Sequence, residues 1–153
     1  MIQKSDIPEI ALKYSQNESN LSFTQKSRTY TAFNKNKKQV LGFWIDGRLI
    51  TSLETKKCDC AIIVENDLCY LIELKGESID DACEQLDVTL EYFKAKYQMQ
   101  KFVCRIVISR FNTHKVRDEK YILLEKKLRI IQKQFGFQEK PLWIKENKLQ
   151  ENI

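Results

Sequence analysis

Two apolar runs at the middle of the chain, CDCAIIV over 58–64 and LCYLIEL over 68–74, are each the length of a strand and are separated only by Glu65, Asn66 and Asp67. Near-continuous apolar character over so few residues predicts strands covered on both faces, and the polar triplet between them predicts a hairpin. Upstream, 40–45 and 48–53 flank Asp46-Gly47, a dipeptide that supplies the positive φ angles of a tight turn, and so predict a first hairpin. Beyond Gly76 the apolar period changes from two to about 3.6. Ile79, Ala82, Leu86, Leu90, Phe93 and Tyr97 then mark one face of a long helix capped by Ser78 and ending near Lys96. Residues 101–109, KFVCRIVIS, predict another strand, and strand, helix, strand in that order implies a right-handed parallel crossover beside the 68–74 strand. A second long helix is expected over 118–135, with Ile122, Leu123, Leu128, Ile131 and Phe135 apolar and Gly136 as its stop. Residues 142–144 add a last short strand after Pro141.

The two ends of the chain read differently. Over 5–15, Asp6 and Glu9 have the capping-box spacing, Pro8 suits a first turn, and Ile7, Ile10, Ala11 and Tyr14 recur at helical spacing, which predicts a short amphipathic helix. Residues 16–38 are rich in Asn, Ser and Lys and predict a polar connection with one short element. From Lys145 onward the chain predicts a fraying tail. The expected organisation is one α/β domain over 1–153, divided into an N-terminal helix with its connection (1–38), a core (39–144) and a tail (145–153).

Composition adds little until charge is placed on this frame. With 153 residues, 42% hydrophobic and 31% charged, the chain has too much apolar content for intrinsic disorder. No apolar run approaches the roughly 18 residues that span a bilayer, and the amino terminus has no signal-peptide pattern, so no membrane partner is expected and the default compartment is cytoplasmic. The formal net charge of +5 favours an anionic partner. Basic residues concentrate between Lys94 and Lys133, where Asp118, Glu119 and Glu125 are the only acids, which makes that stretch the candidate for touching phosphates. Five cysteines without C-x-x-C spacing give neither a disulfide framework nor a zinc site; Cys58 and Cys60 flank Asp59 in a strand and are expected to point away from it as core thiols. The four glycines build no phosphate loop, and the single histidine, His114, supports no His-rich metal site.

Asp59 and Glu73 interrupt the two apolar runs, with Lys75 just beyond. A carboxylate buried without compensation costs several kcal/mol, so charges in such strands are normally paired or bind a metal. If residues 65–67 form a three-residue loop, Val64 pairs with Leu68 and Asp59 falls opposite Glu73. If the loop is Asn66-Asp67 alone, Asp59 lies diagonal to Glu73 and Lys75. Glu73 and Lys75 share one face, roughly 6 to 7 Å apart along the strand. Either register gathers two carboxylates and an ammonium at one spot.

An Asp on one strand, Glu-x-Lys on the next and then a helix resembles the PD-(D/E)xK superfamily of metal-dependent nucleases, which includes restriction endonucleases and Holliday-junction resolvases. The matching residues are Asp59, Glu73 and Lys75, with Gln85 on the following helix, and the resemblance covers roughly residues 40–110; Cys58 stands where the superfamily name has Pro. It implies a restriction-endonuclease-like core, with a mixed central β-sheet flanked by helices on both faces. It also implies hydrolysis of DNA phosphodiesters by a resolvase-like or restriction and defence enzyme, with Mg2+ or Mn2+ held by Asp59, Glu73 and the main-chain carbonyl of Leu74. Lys75 would orient the attacking water, and Gln85 would steady Lys75 or a metal-bound water. Resolvase-like members carry an acidic ligand on an N-terminal helix, which makes Glu9 one candidate for a further ligand; Asp46, in the turn before the hairpin, is the other. Lys57, Arg110, His114, Lys115 and Arg117 are candidate nucleic-acid contacts, with DNA the expected partner and RNA also admitted. Cutting two strands needs two sites, so a homodimer is one arrangement the resemblance allows. The reading from a different class is a catalytically silent nucleic-acid-binding or assembly module on the same fold.

Overall fold

The central hairpin forms with a three-residue loop. In the computed structural model, which describes residues 1–74, 76–110 and 119–153, Val64 pairs with Leu68 and Cys60 with Ile72. Glu65 and Asn66 turn the chain at φ 52° and 57°, and Asp67 N–H closes the loop on the Val64 carbonyl at 3.0 Å. In chain order the strands and helices are β1 (Leu12–Tyr14), β2 (Asn20–Gln25), β3 (Arg28–Phe33), β4 (Val40–Trp44), β5 (Cys60–Val64), β6 (Leu68–Glu73), α1 (Ile79–Tyr97), β7 (Lys101–Ile108), α2 (Glu119–Phe135), β8 (Leu142–Glu146) and β9 (Lys148–Asn152).

Six strands make one mixed sheet in the order β1-β4-β5-β6-β7-β8. The pairs from β1 to β6 are antiparallel, whereas β6, β7 and β8 run parallel. The two parallel joins enclose α1 and α2, as the change of period after Gly76 predicts. Ser78 caps α1 by accepting from Asp81 N–H at 3.2 Å, Gln98 ends it in the left-handed conformation, and Gly136 at φ 67° follows α2. Among the described residues no helix is long and apolar enough to cross a membrane.

The architecture is α/β, but its layers differ from the expected pair of helical faces. Both helices cover one face: Ala82, Leu86, Leu90 and Phe93 of α1 and Leu124, Leu128 and Ile131 of α2 pack with Phe43, Ala61, Leu71, Phe102 and Ile106. The other face is covered by a three-stranded sheet in the order β2-β3-β9, whose Leu21, Phe23, Tyr30, Ala32 and Leu149 pack on Ile62, Tyr70, Ile72 and Val103. The central strands are therefore enclosed on both sides, which is why β5 and β6 read as unbroken apolar runs rather than alternating ones.

Five further expectations are corrected. Residues 5–15 form no amphipathic helix: a short 3₁₀ turn at Lys4–Asp6 is followed by β1, because Leu12 and Tyr14 pair with the edge of β4 and Ile10 stays 72% exposed. The connection over 16–38 contains the β2–β3 hairpin, whose period-two burial is hidden among polar outer positions. Residues 48–53 make no strand, since both edges of β4 are already taken by β1 and β5; instead the Ile45 carbonyl accepts N–H bonds from Arg48, Leu49 and Ile50 around Gly47 at φ 75°. The tail is ordered as β8 and β9, with β9 parallel to β3. On α2 the inward stripe is Leu124, Leu128 and Ile131, leaving Ile122 40% and Leu123 56% exposed.

The two sheets are joined by a buried ion pair. Arg105 on β7, fully buried, forks onto Glu151 of β9 with Nε to Oε1 at 2.6 Å and Nη2 to Oε2 at 3.0 Å. Its Nη1 donates to the Cys104 and Lys140 carbonyls at 2.9 and 2.8 Å, and Tyr30 Oη donates to Glu151 at 2.8 Å.

Candidate active site

Asp59 and Glu73 stand at the same end of the central sheet. Asp59 precedes β5 by one residue and Glu73 is the last residue of β6, and continuing the hairpin register sets them opposite each other. They are 7% and 2% exposed. Asp59 ties three segments together: its Oδ2 accepts from Leu74 N–H at 2.6 Å, and its main-chain carbonyl accepts from Ile45 N–H at 2.8 Å and Asp46 N–H at 3.4 Å.

The first half of α1 lies against these strand ends. With its amide nitrogen turned toward the acceptors around it, Gln85 donates to Glu73 Oε1 at 3.0 Å and to the Asp81 carbonyl at 3.3 Å. One turn on, Thr89 accepts from Cys58 N–H at 2.8 Å and donates back to the Gln85 carbonyl at 2.8 Å. The helix thus holds both the start of β5 and the end of β6, and among the described residues the Gln85 amide meets the Glu73 carboxylate and the Asp81 carbonyl.

Cys58 and Cys60 are core thiols, but they do not share a face. Cys58 precedes the regular strand and packs on the helical side, whereas Cys60 packs toward the small sheet. Burial, and then the negative charge of Glu73, push the Cys58 thiol well above its ordinary value; burial and Asp59 do the same at Cys60. Both stay protonated and are poor soft-metal ligands. All five cysteines are buried, so the native protein is expected to resist iodoacetamide and to take five labels only after unfolding, as mass spectrometry would count. Rapid labelling at Cys58 or Cys60 without unfolding would show that the start of β5 is open.

Among the described residues, Asp59 and Gln85 each line a cavity. One, of about 300 Å³, is lined by Thr24, Gln25, Trp44, Asp46, Arg48 and Asp59. The other, of about 410 Å³, is lined by Asp46, residues 53–57 and Gln85. Asp46 borders both, in the turn beside Asp59. Glu9 is exposed in the turn before β1 and lines neither cavity.

The remaining candidates separate. The Lys57 ammonium is 6% exposed, donates to the Ser52 and Thr55 carbonyls and lies 3.6 Å from Asp46, so it orders the loop before β5. Arg110 is exposed two residues past β7. Lys75, His114, Lys115 and Arg117 lie outside the described residues. The Leu74 carbonyl accepts from Arg28 Nε at 3.0 Å, a contact the sequence reading does not contain.

Several basic residues of the stretch from Lys94 to Lys133 are paired with acids among the described residues. Lys127 pairs with Asp87 and Glu91 at 2.5 and 2.6 Å, Lys120 with Glu84 at 3.2 Å, Lys101 with Asp67 at 2.7 Å, and Arg105 is sealed inside. Glu84, Asp87 and Glu91 of α1 are thus ion-pair partners of α2.

The donor set suits a hard cation. Carboxylate oxygens of Asp59 and Glu73, with Asp46 beside them, are the groups that bind Mg2+ or Mn2+, and Mg2+ commonly uses one or two carboxylates with water and substrate oxygens. Among the described residues no group of three or more His, Cys, Asp or Glu side chains converges as an all-protein cage would require. Comparison with protein-family models, with curated proteins and with solved structures gives no match to this chain.

Proposed function

We propose that this protein is a metal-dependent nuclease that hydrolyses DNA phosphodiester bonds at the sheet end where β5 starts and β6 finishes, of resolvase-like or restriction and defence type. The observation that carries the reading is the Asp59–Glu73 juxtaposition: two carboxylates, each more than nine-tenths buried, at one sheet end, with Asp59 lining a solvent cavity. Asp59 and Glu73 would hold the cation. A divalent cation there neutralises phosphate charge, lowers the pKa of its bound water and stabilises the leaving oxygen. The Leu74 N–H fixes the Asp59 carboxylate and Gln85 fixes that of Glu73, so neither has to reorganise when substrate arrives. Lys75, directly after Leu74 in the chain, would orient water and stabilise the phosphate.

A second reading is favoured by one contact. The carbonyl that the resemblance assigns to the metal accepts from the Arg28 guanidinium, as it would in a silent nucleic-acid-binding module whose cation site has been replaced by a side chain. Plasmid cleavage separates the two. The nuclease reading expects nicking or linearisation with Mg2+ or Mn2+, none in EDTA, loss of cutting in Lys75→Ala, and a drop of about 10- to 100-fold in Gln85→Ala, typical of a residue that orients a metal ligand. Absence of cutting of any DNA or RNA form by the wild type would leave the binding module.

A further inference from the structure

The β2–β3 hairpin, which the sequence presents as polar linker, carries a cation to the site. Arg28 opens β3 on the inward side of the strand, in alternation with Tyr30 and Ala32, and is 7% exposed. Its Nε donates to the Leu74 carbonyl at 3.0 Å and its Nη1 to Ser109 Oγ at 2.7 Å, so the guanidinium bridges the ends of β6 and β7. Ser109 is held in turn by its N–H on the Gly76 carbonyl at 2.8 Å. Among the described residues no carboxylate lies within ion-pairing distance of Arg28. Among the described residues Nη2 donates to no protein acceptor, and Arg28 keeps 7% of its surface exposed.

A buried guanidinium whose hydrogen bonds go only to neutral groups still lacks a counter-anion, an unfavourable state that an anionic ligand relieves. The surroundings indicate which ligand. Gln25, the register partner of Arg28, lines the cavity at Asp59 together with Thr24. Lys26 is exposed at the hairpin tip, and Arg48 stands on the same cavity. A planar fork of N–H donors, held on the strand whose register partner Gln25 lines that cavity, matches a phosphate oxygen.

We propose that Arg28 is a phosphate-contacting residue of this protein, binding the sugar-phosphate backbone of the nucleic acid through Nη2 while Nε and Nη1 hold it on Leu74 and Ser109. This rests on the reading that the site meets nucleic acid, but it does not require cleavage. It also gives the Leu74 contact a role in substrate binding rather than in replacing a metal.

The test is binding of a short fluorescein-labelled DNA duplex in EDTA across a salt series, with each variant first shown to be folded by circular dichroism. Arg28→Gln keeps a donor and removes the charge; Arg28→Lys keeps the charge and gives up the fork. The expected result is a log-log salt slope shallower by about 0.9 in Arg28→Gln and unchanged in Arg28→Lys. A wild-type slope in Arg28→Gln overturns the proposal. If Arg28→Gln does not fold, the wild-type Arg28 Nε–H resonance is followed by NMR as duplex is added: movement supports the contact and a fixed resonance overturns it. Plasmid cleavage run on the same preparations separates the two claims. An Arg28-dependent slope without cleavage keeps the phosphate contact and removes the nuclease; metal-dependent cleavage with an Arg28-independent slope does the reverse. Wild type that binds no duplex removes Arg28 from this role.

Discussion

Replacing Glu73 by alanine is expected to lower the rate of Mg2+-dependent plasmid cleavage by about 10³-fold or more, because charge stabilisation worth several kcal/mol is lost with the ligand and each 1.4 kcal/mol or so is a factor of ten. The same substitution distinguishes a working site from a structural cluster. Glu73 is 2% exposed, with Gln85 as a neutral partner. If its charge is kept for catalysis, the metal-free Glu73→Ala protein melts at or above the wild-type temperature, since an active-site carboxylate is held at the expense of stability. If Glu73 serves only to balance a buried ion pair, its removal costs about 3–5 kcal/mol. Thermal melting in EDTA, run beside the cleavage assay, reads both.

The second large effect lies at the far side of the sheet. Arg105→Met is expected to destabilise the protein by about 3–5 kcal/mol, because it leaves the Glu151 carboxylate and the Lys140 and Cys104 carbonyls without their shared donor. At roughly 2–4 °C per kcal/mol for a domain of this size, the melting temperature falls by about 10 °C. The double variant Arg105→Met/Glu151→Leu is expected to recover most of that loss, since replacing a whole buried pair by apolar side chains is often neutral. Guanidinium-induced unfolding of wild type, both single variants and the double variant gives the coupling. A double variant no more stable than Arg105→Met alone would mean that the guanidinium acts through its carbonyl bonds and through packing on Tyr70 and Trp143.

What the sequence discloses of the fold follows from how local each signal is. The central hairpin, the crossover helix and β7 are legible because each element carries its own period, and the three-residue loop alone sets Asp59 opposite Glu73. The second layer is not legible in the same way. Leu21 and Phe23 alternate on β2, and Tyr30 and Ala32 on β3, but polar outer positions dominate the composition and the third partner, β9, lies more than a hundred residues on. A parallel pairing across that distance has no local signature. Arg28 shares the inward period of Tyr30 and Ala32, and that alternation is the signal by which it could have been found; as an isolated Arg in a polar stretch it reads as solvated.

The charge pattern along the chain is incomplete for a related reason. Lys101, Lys120 and Lys127 belong to a basic run in sequence, but α1 brings Glu84, Asp87 and Glu91 against α2 and β6 brings Asp67 beside β7. Net charge along a segment does not say which acids the fold will set beside it. Among the described residues, Arg48 shares a cavity with Asp59, and Arg28 meets the Leu74 carbonyl while the Leu74 N–H meets Asp59, two cations of separate local context.

The central claim is that Asp59 and Glu73 together hold a divalent cation, and anomalous diffraction from crystals grown with Mn2+ tests it most directly. The account predicts a manganese peak with carboxylate oxygens of both Asp59 and Glu73 at about 2.0 to 2.3 Å, absent from crystals of Glu73→Ala. A well-ordered site with no manganese, or with manganese bound away from both carboxylates, would contradict it.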